Sequence, residues 1–152
     1  MKLKLWVLVV LGLIMICSFT PEPTFCKKTG LKGHVYLVTG NQMPSPDNPP
    51  AVPRGMKTTL YIYELTNINQ VSRQGNSAFY TSINTKLVKE VQTDDQGAYK
   101  IKLKPGKYSL FVKKGSVFYS SQFDDKNNIH PVEITSRQMT ENNFQANYDA
   151  FY

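Results

Sequence analysis

Residues 93–112 read Thr-Asp-Asp-Gln-Gly-Ala-Tyr-Lys-Ile-Lys-Leu-Lys-Pro-Gly-Lys-Tyr-Ser-Leu-Phe-Val, and no other stretch constrains the fold as tightly. Tyr99, Ile101 and Leu103 alternate with Lys100, Lys102 and Lys104. Side chains alternate faces along a strand, so this pattern predicts a strand that is dry on one side and wet on the other. Asp94-Asp95-Gln96-Gly97 predicts a turn before it. Pro105-Gly106 predicts a second turn, because Pro presets φ and Gly tolerates positive φ. Tyr108, Leu110 and Val112 resume the alternation. The whole stretch reads as a β-hairpin with one apolar face. Two strands cannot stand alone in water, so the remaining chain must cover that face.

The other segments supply the cover. Residues 33–38 form a strand signal that ends at Thr39-Gly40-Asn41. Residues 43–55 hold five prolines, which remove ladder donors, so a long loop is expected. Residues 57–65 read as a strand with Leu60 and Ile62 on one face and Tyr61 and Tyr63 on the other. Such a strand is either central or bears an exposed aromatic pair. Residues 67–82 are polar and predict a second long loop with at most one helical turn. Residues 85–92 predict a strand with a bulge, since Leu87, Val88 and Val91 break alternation. Short strands are expected at 116–122, 132–134 and 143–148, with a turn at 123–128. No segment has helical periodicity. Seven or so short strands between turns point to an all-β chain, an antiparallel seven-stranded β-sandwich.

The first 18 residues read differently. Lys2 and Lys4 precede a nearly continuous apolar run from residue 5 to 16. That is a positive segment followed by a core of export-signal length, too short for the roughly 20 residues of a spanning helix. Cys17 closes the run after Leu13-Ile14-Met15-Ile16, as in a bacterial lipoprotein box, although Ile16 stands where a small residue is usual. Two readings stay open: a lipid carried on Cys17, or cleavage after Ser18 that discards it. Either way Cys26, the second of only two cysteines, lacks an intramolecular partner, so no disulfide framework is expected. The expected layout is a signal at 1–18, a tether at 19–30 and one domain at 31–152. At 152 residues one domain can bury a real core. The net charge is +7, or +5 without Lys2 and Lys4. The lysines alternate with core positions, which predicts a solvated sheet face rather than a nucleic-acid surface.

Gly33-x-Val35, Leu60-x-Ile62 and the run from Thr93-Asp94-x-x-Gly97 through Pro105-Gly106-x-Tyr108-x-Leu110 resemble the carboxypeptidase regulatory-like domain. The resemblance covers residues 31–112 and extends to 148. It implies a transthyretin-like, immunoglobulin-like sandwich that serves as an accessory to other domains. Gly40-Asn41-Gln42-Met43-Pro44 and Phe123-Asp124-x-x-Asn127-Asn128 also resemble small exported proteins of the Bacteroidetes type, which implies a cell-envelope address: periplasm, outer membrane or cell surface.

Tests for chemistry are mostly negative. His130-Pro131-Val132-Glu133 matches the His-x-x-Glu zinc pair of the parent peptidases, but His34, the one other histidine, lies far upstream. Catalytic zinc takes three protein ligands, and strand residues three apart face opposite ways. Asp124, Asp125, Asn127 and Asn128 offer oxygens of the kind calcium takes, at a spacing that suits a turn better. Asp94 and Asp95 read the same way. No Gly-x-Ser-x-Gly elbow or phosphate loop occurs. The expectation is a non-enzymatic protein without cofactors, acting as an accessory or binding module for an envelope protein or glycan. Nucleic acid is not expected as a partner, and a membrane only through a lipid on Cys17. The other reading is a carbohydrate- or peptide-binding module that uses Tyr61, Tyr63 and the long loops.

Overall fold

The computed structural model describes residues 28–43 and 52–152. The signal segment, Cys17, Cys26 and residues 44–51 of the proline-rich loop lie outside the described residues. The described chain is all-β, as expected, and forms two sheets packed face to face. The strands are β1 (Gly30–Asn41), β2 (Arg54–Gly55), β3 (Thr59–Glu64), β4 (Val71–Arg73), β5 (Phe79–Ile83), β6 (Leu87–Gln92), β7 (Ala98–Lys102), β8 (Gly106–Lys114), β9 (Val117–Tyr119), β10 (Pro131–Ile134), β11 (Met139–Glu141) and β12 (Phe144–Phe151).

The smaller sheet gathers around β1. It pairs antiparallel with β2 and β7, and parallel with β11 and β12. The larger sheet is antiparallel, with β4, β5, β9, β8, β3 and β6 in order and β10 on β8. Leu31, Val35 and Phe144 of the smaller sheet meet Leu60, Ile62, Leu110 and Val112 of the larger, all fully buried.

The hairpin expected at 93–112 is not one. β7 pairs with β1 in the smaller sheet, whereas β8 pairs with β3, β9 and β10 in the larger. Pro105-Gly106 therefore helps return the chain to the larger sheet, after the 93–97 turn has carried it across from β6. The reason is geometric. Tyr99, Leu103, Tyr108 and Leu110 all enter one core. Strands facing each other across a sandwich present the same alternation as strands lying side by side, so the pattern identifies the dry face and leaves the partner open. The crossing turn is anchored at Gly97, whose φ is +77° and whose N–H donates to the Asp94 carbonyl. The Asp94 carboxylate accepts the N–H groups of Gln96 and Ala98, the turn role expected of it.

The loop expected at 67–82 is also more regular. Its single helical turn is present as a 3-10 turn at Ile68–Gln70, capped by Asn67 and Gln70. Beyond it, β4 and β5 form a short hairpin, missed because Ser72, Thr81 and Ser82 are polar and exposed and only Val71, Phe79, Tyr80 and Ile83 anchor it. The expected bulge in β6 is found at Val88, where pairing steps from Ile62↔Lys89 to Tyr63↔Leu87.

Of the two readings of β3, the central one holds. β3 lies between β8 and β6. Its second face is covered by a separate apolar cluster of Tyr63, Tyr80, Phe111 and Ile129, with Ile68, Val71, Ile83 and Phe118 packed around it.

Candidate functional site

β6 ends the larger sheet, and β7 flanks β1 in the smaller one. The two strands therefore face each other along an edge of the sandwich. Here the Lys89 ammonium donates to the Lys102 carbonyl at 2.9 Å, spanning the sheets. Beside this bond lies a cleft of about 730 Å³. Lys86, Lys89, Lys102, Lys104 and Lys107 line it, together with Val88, Leu103 and Tyr108 and a single carboxylate, Glu64.

Two stretches of chain bring these lysines together: Lys86 and Lys89 at the start of β6, and Lys102, Lys104 and Lys107 from the end of β7 to the start of β8. Lys107 has a distant partner in Glu133 at 3.9 Å. The other ion pairs are Lys32–Glu141, Lys57–Asp95 and Lys114–Asp149, so among the described residues Lys86, Lys102 and Lys104 have no carboxylate at ion-pair distance. Like charges near a surface repel by about 1 kcal/mol at 4 Å in water, and salt screens them beyond about 8 Å. An anion in the cleft would relieve that repulsion. Lysine supplies point charges on flexible stems, without the planar fork of arginine, so the cleft selects charge more than shape. Its floor is apolar: Leu103 and Tyr108 belong to the inter-sheet core, and Val88 packs against it. The Tyr108 hydroxyl already donates to the Lys104 carbonyl at 3.0 Å.

In the sequence Lys102 and Lys104 fall in the pattern of a wet sheet face, which hides this convergence. The available signal was their density around Pro105-Gly106, where Lys102, Lys104 and Lys107 fall within six residues.

The residues singled out in the sequence are scattered. Tyr63 is packed edge-on against Phe111 and Phe118, with centroids 5.6 and 5.8 Å away, and burial pushes its hydroxyl pKa up. Tyr61 is half-buried, edge-on to Phe118 at 5.4 Å, with the Lys113 ammonium 5.0 Å from its ring centre. The pair forms a covered sheet, not an open groove. His130 is 2% exposed, stacked on Phe144 at 4.7 Å, and its Nε2–H donates to Asn142 at 3.1 Å. Burial pushes its pKa down to about 4, against the raising effect of that hydrogen bond. Glu133 points the other way, to solvent and Lys107, so the structure does not bring the His-x-x-Glu pair together. Among the described residues no three His, Cys, Asp or Glu side chains cluster as a metal set would. In the 123–128 turn the Asp124 carboxylate accepts the N–H groups of Lys126 and Asn128 and the Asn128 side chain, which lowers its pKa. These bonds close the turn and occupy the oxygens a cation would need.

No family model, curated protein or solved structure matches the chain.

Proposed function

We propose that this protein is a non-enzymatic accessory module of the cell envelope that binds an anionic ligand in the lysine-lined cleft. The observation that carries the reading is the convergence of five lysines on one concavity, four of them without a carboxylate partner among the described residues and three of these, Lys86, Lys102 and Lys104, also without a side-chain hydrogen bond such as the one Lys89 makes. Lysines on an edge strand also block edge-to-edge pairing. That role needs charges along one strand, whereas these come from two stretches, 86–89 and 102–107, that meet across the two sheets and surround a space of ligand size. Binding is favoured over catalysis because the lining holds charge and an apolar floor, with Glu64 as its one carboxylate and no histidine, cysteine or serine.

The accessory role and the envelope address rest on the resemblance to carboxypeptidase regulatory-like domains and on the signal-like first 18 residues. Metabolic palmitate labelling of the wild type that disappears in Cys17→Ser would support the lipid tether; an unlabelled wild type would end that part of the reading. The alternative carbohydrate or peptide site on the aromatic face would have to act through Tyr61 and Phe118, since Tyr63 is packed away.

The test is a titration of the protein with inorganic tripolyphosphate at low and physiological salt. Binding should weaken as salt rises and be lost in the triple variant Lys86→Glu, Lys102→Glu, Lys104→Glu, whose unfolding midpoint should stay near that of the wild type. Tripolyphosphate binding that the triple variant retains would overturn the assignment to the cleft.

A further inference from the structure

The cleft is more than a set of charges. Its floor is the edge of the inter-sheet core, where Val88, Leu103 and Tyr108 reach the cleft from β6, the residues after β7, and β8. The lysines stand around that floor. The Lys89 ammonium is held away from it by the bond to the Lys102 carbonyl, and Lys107 leans toward Glu133. Lys86, Lys102 and Lys104 are exposed and free of such ion pairs among the described residues.

Each candidate ligand leaves something unmatched except one. A simple inorganic anion would satisfy the ammonium groups and leave half-buried Val88, beside the edge of the buried Leu103, facing water. A neutral apolar molecule would cover the floor and bring no counter-charge to the lysines. A neutral sugar needs an open aromatic face and a free fork of donors and acceptors; Tyr108 is only 9% exposed, and its hydroxyl is engaged. A molecule with one anionic head and a short alkyl part matches both features at once. Its head would sit among the three free ammonium groups. Its chain would lie on Val88, over the edge of Leu103, alongside the aliphatic stems of the lysines, which cover apolar surface while their charges stay in water.

We infer that the cleft is a binding site for an anionic amphiphile, a phosphate or carboxylate head on an alkyl chain. The inference rests on the anion-binding reading above and adds that the apolar floor takes part. It assigns Lys86, Lys102 and Lys104 to the head and Val88, with the lysine stems, to the chain.

The experiment is calorimetric titration of the purified protein with butyl phosphate, octyl phosphate, octanoate and octyl glucoside, each below its self-association concentration. The variants are Val88→Gln and the triple lysine-to-glutamate chain. Octyl phosphate is expected to bind at least about tenfold tighter than butyl phosphate, because each added methylene leaves water for the floor. Octyl glucoside should not compete with it. Val88→Gln, half-exposed and at a bulge, should erase the difference between the two chain lengths and leave butyl phosphate unaffected. The triple variant should lose both. Octanoate against octyl phosphate tells a carboxylate head from a phosphate one; binding of either supports the inference.

Equal affinity for butyl and octyl phosphate, abolished by the triple variant, would overturn the amphiphile inference and leave the anion site standing. Octyl glucoside binding as tightly as octyl phosphate would overturn both. So would octyl phosphate binding that survives all the cleft substitutions.

Discussion

His130 shows how one side chain makes the fold sensitive to acid. It is buried neutral against Phe144, with a pKa of about 4 against an ordinary 6.5. The unfolded chain therefore takes up a proton at a higher pH than the folded one. Stability should be at its full value above pH 6.5, fall as the pH drops toward 4, and change no further from this group below that. A shift of this size corresponds to about 3 kcal/mol. Urea unfolding at several pH values should show the slope in the wild type and a flatter profile in His130→Asn, which accepts the positive φ of this position. At Gly97 the constraint is steric. A Cβ there would lie 2.2 Å from the Val35 carbonyl oxygen, on a backbone at φ +77°. Gly97→Ala should destabilise by at least about 2 kcal/mol in urea unfolding. Gly97 was legible in the sequence as a turn glycine. Its closeness to Val35 was not, because nothing in a local pattern shows which distant strand a turn touches.

Among the elements, β3 and the β4–β5 hairpin depend on each other. Tyr80 and Ile83 of the hairpin cover the face of β3 that carries Tyr63. Tyr63→Ala should therefore cost about 3–5 kcal/mol, as for other buried aromatics. Tyr61→Ala should cost about 1 kcal/mol, since Tyr61 is half-buried and its main exposed partner is the Lys113 ammonium. Parallel thermal melts of the two variants check the ranking. The Arg73 guanidinium closes the hairpin tip by donating to the Ser77 carbonyl at 3.0 and 3.2 Å and to the Asn76 carbonyl at 3.3 Å. Arg73→Ala should speed amide exchange across 71–83 while exchange in β8 stays slow. The strands with strict alternation were legible from sequence, as were the bulge in β6 and a closing strand at 143–148. Strand partners were not legible, because β7 and β8 show the same alternation whether adjacent or opposed. The cleft was hidden for the same reason: Lys89 and Lys102 meet across two sheets, and their separation in sequence carries no trace of that.

In the molecule as a whole, five lysines against one carboxylate gather where the sandwich edge opens. Relieving their repulsion should stabilise the fold. Lys104→Glu, placed beside Lys102 and Lys107, should leave the unfolding free energy unchanged or raise it by about 0.5 kcal/mol at low salt, with the gain shrinking as salt is added. The same change should weaken anion binding. A calorimetric melt and a tripolyphosphate titration of one sample read both effects, and opposite signs are the expected outcome. On the proposed reading, charge gathered at the site costs a little stability that a bound anion would offset.

The parallel pairing of β1 with β12 also sets an order of events in time. Val35 lies opposite Phe144 and Asn41 opposite Phe151, so these pairs join residues more than 100 positions apart. Closing such long loops is slow, and no local turn can begin it. During synthesis β1 emerges early and must wait, unpaired along that edge, until β12 has left the ribosome. A chain built this way cannot finish its smaller sheet until the last of its described strands is present.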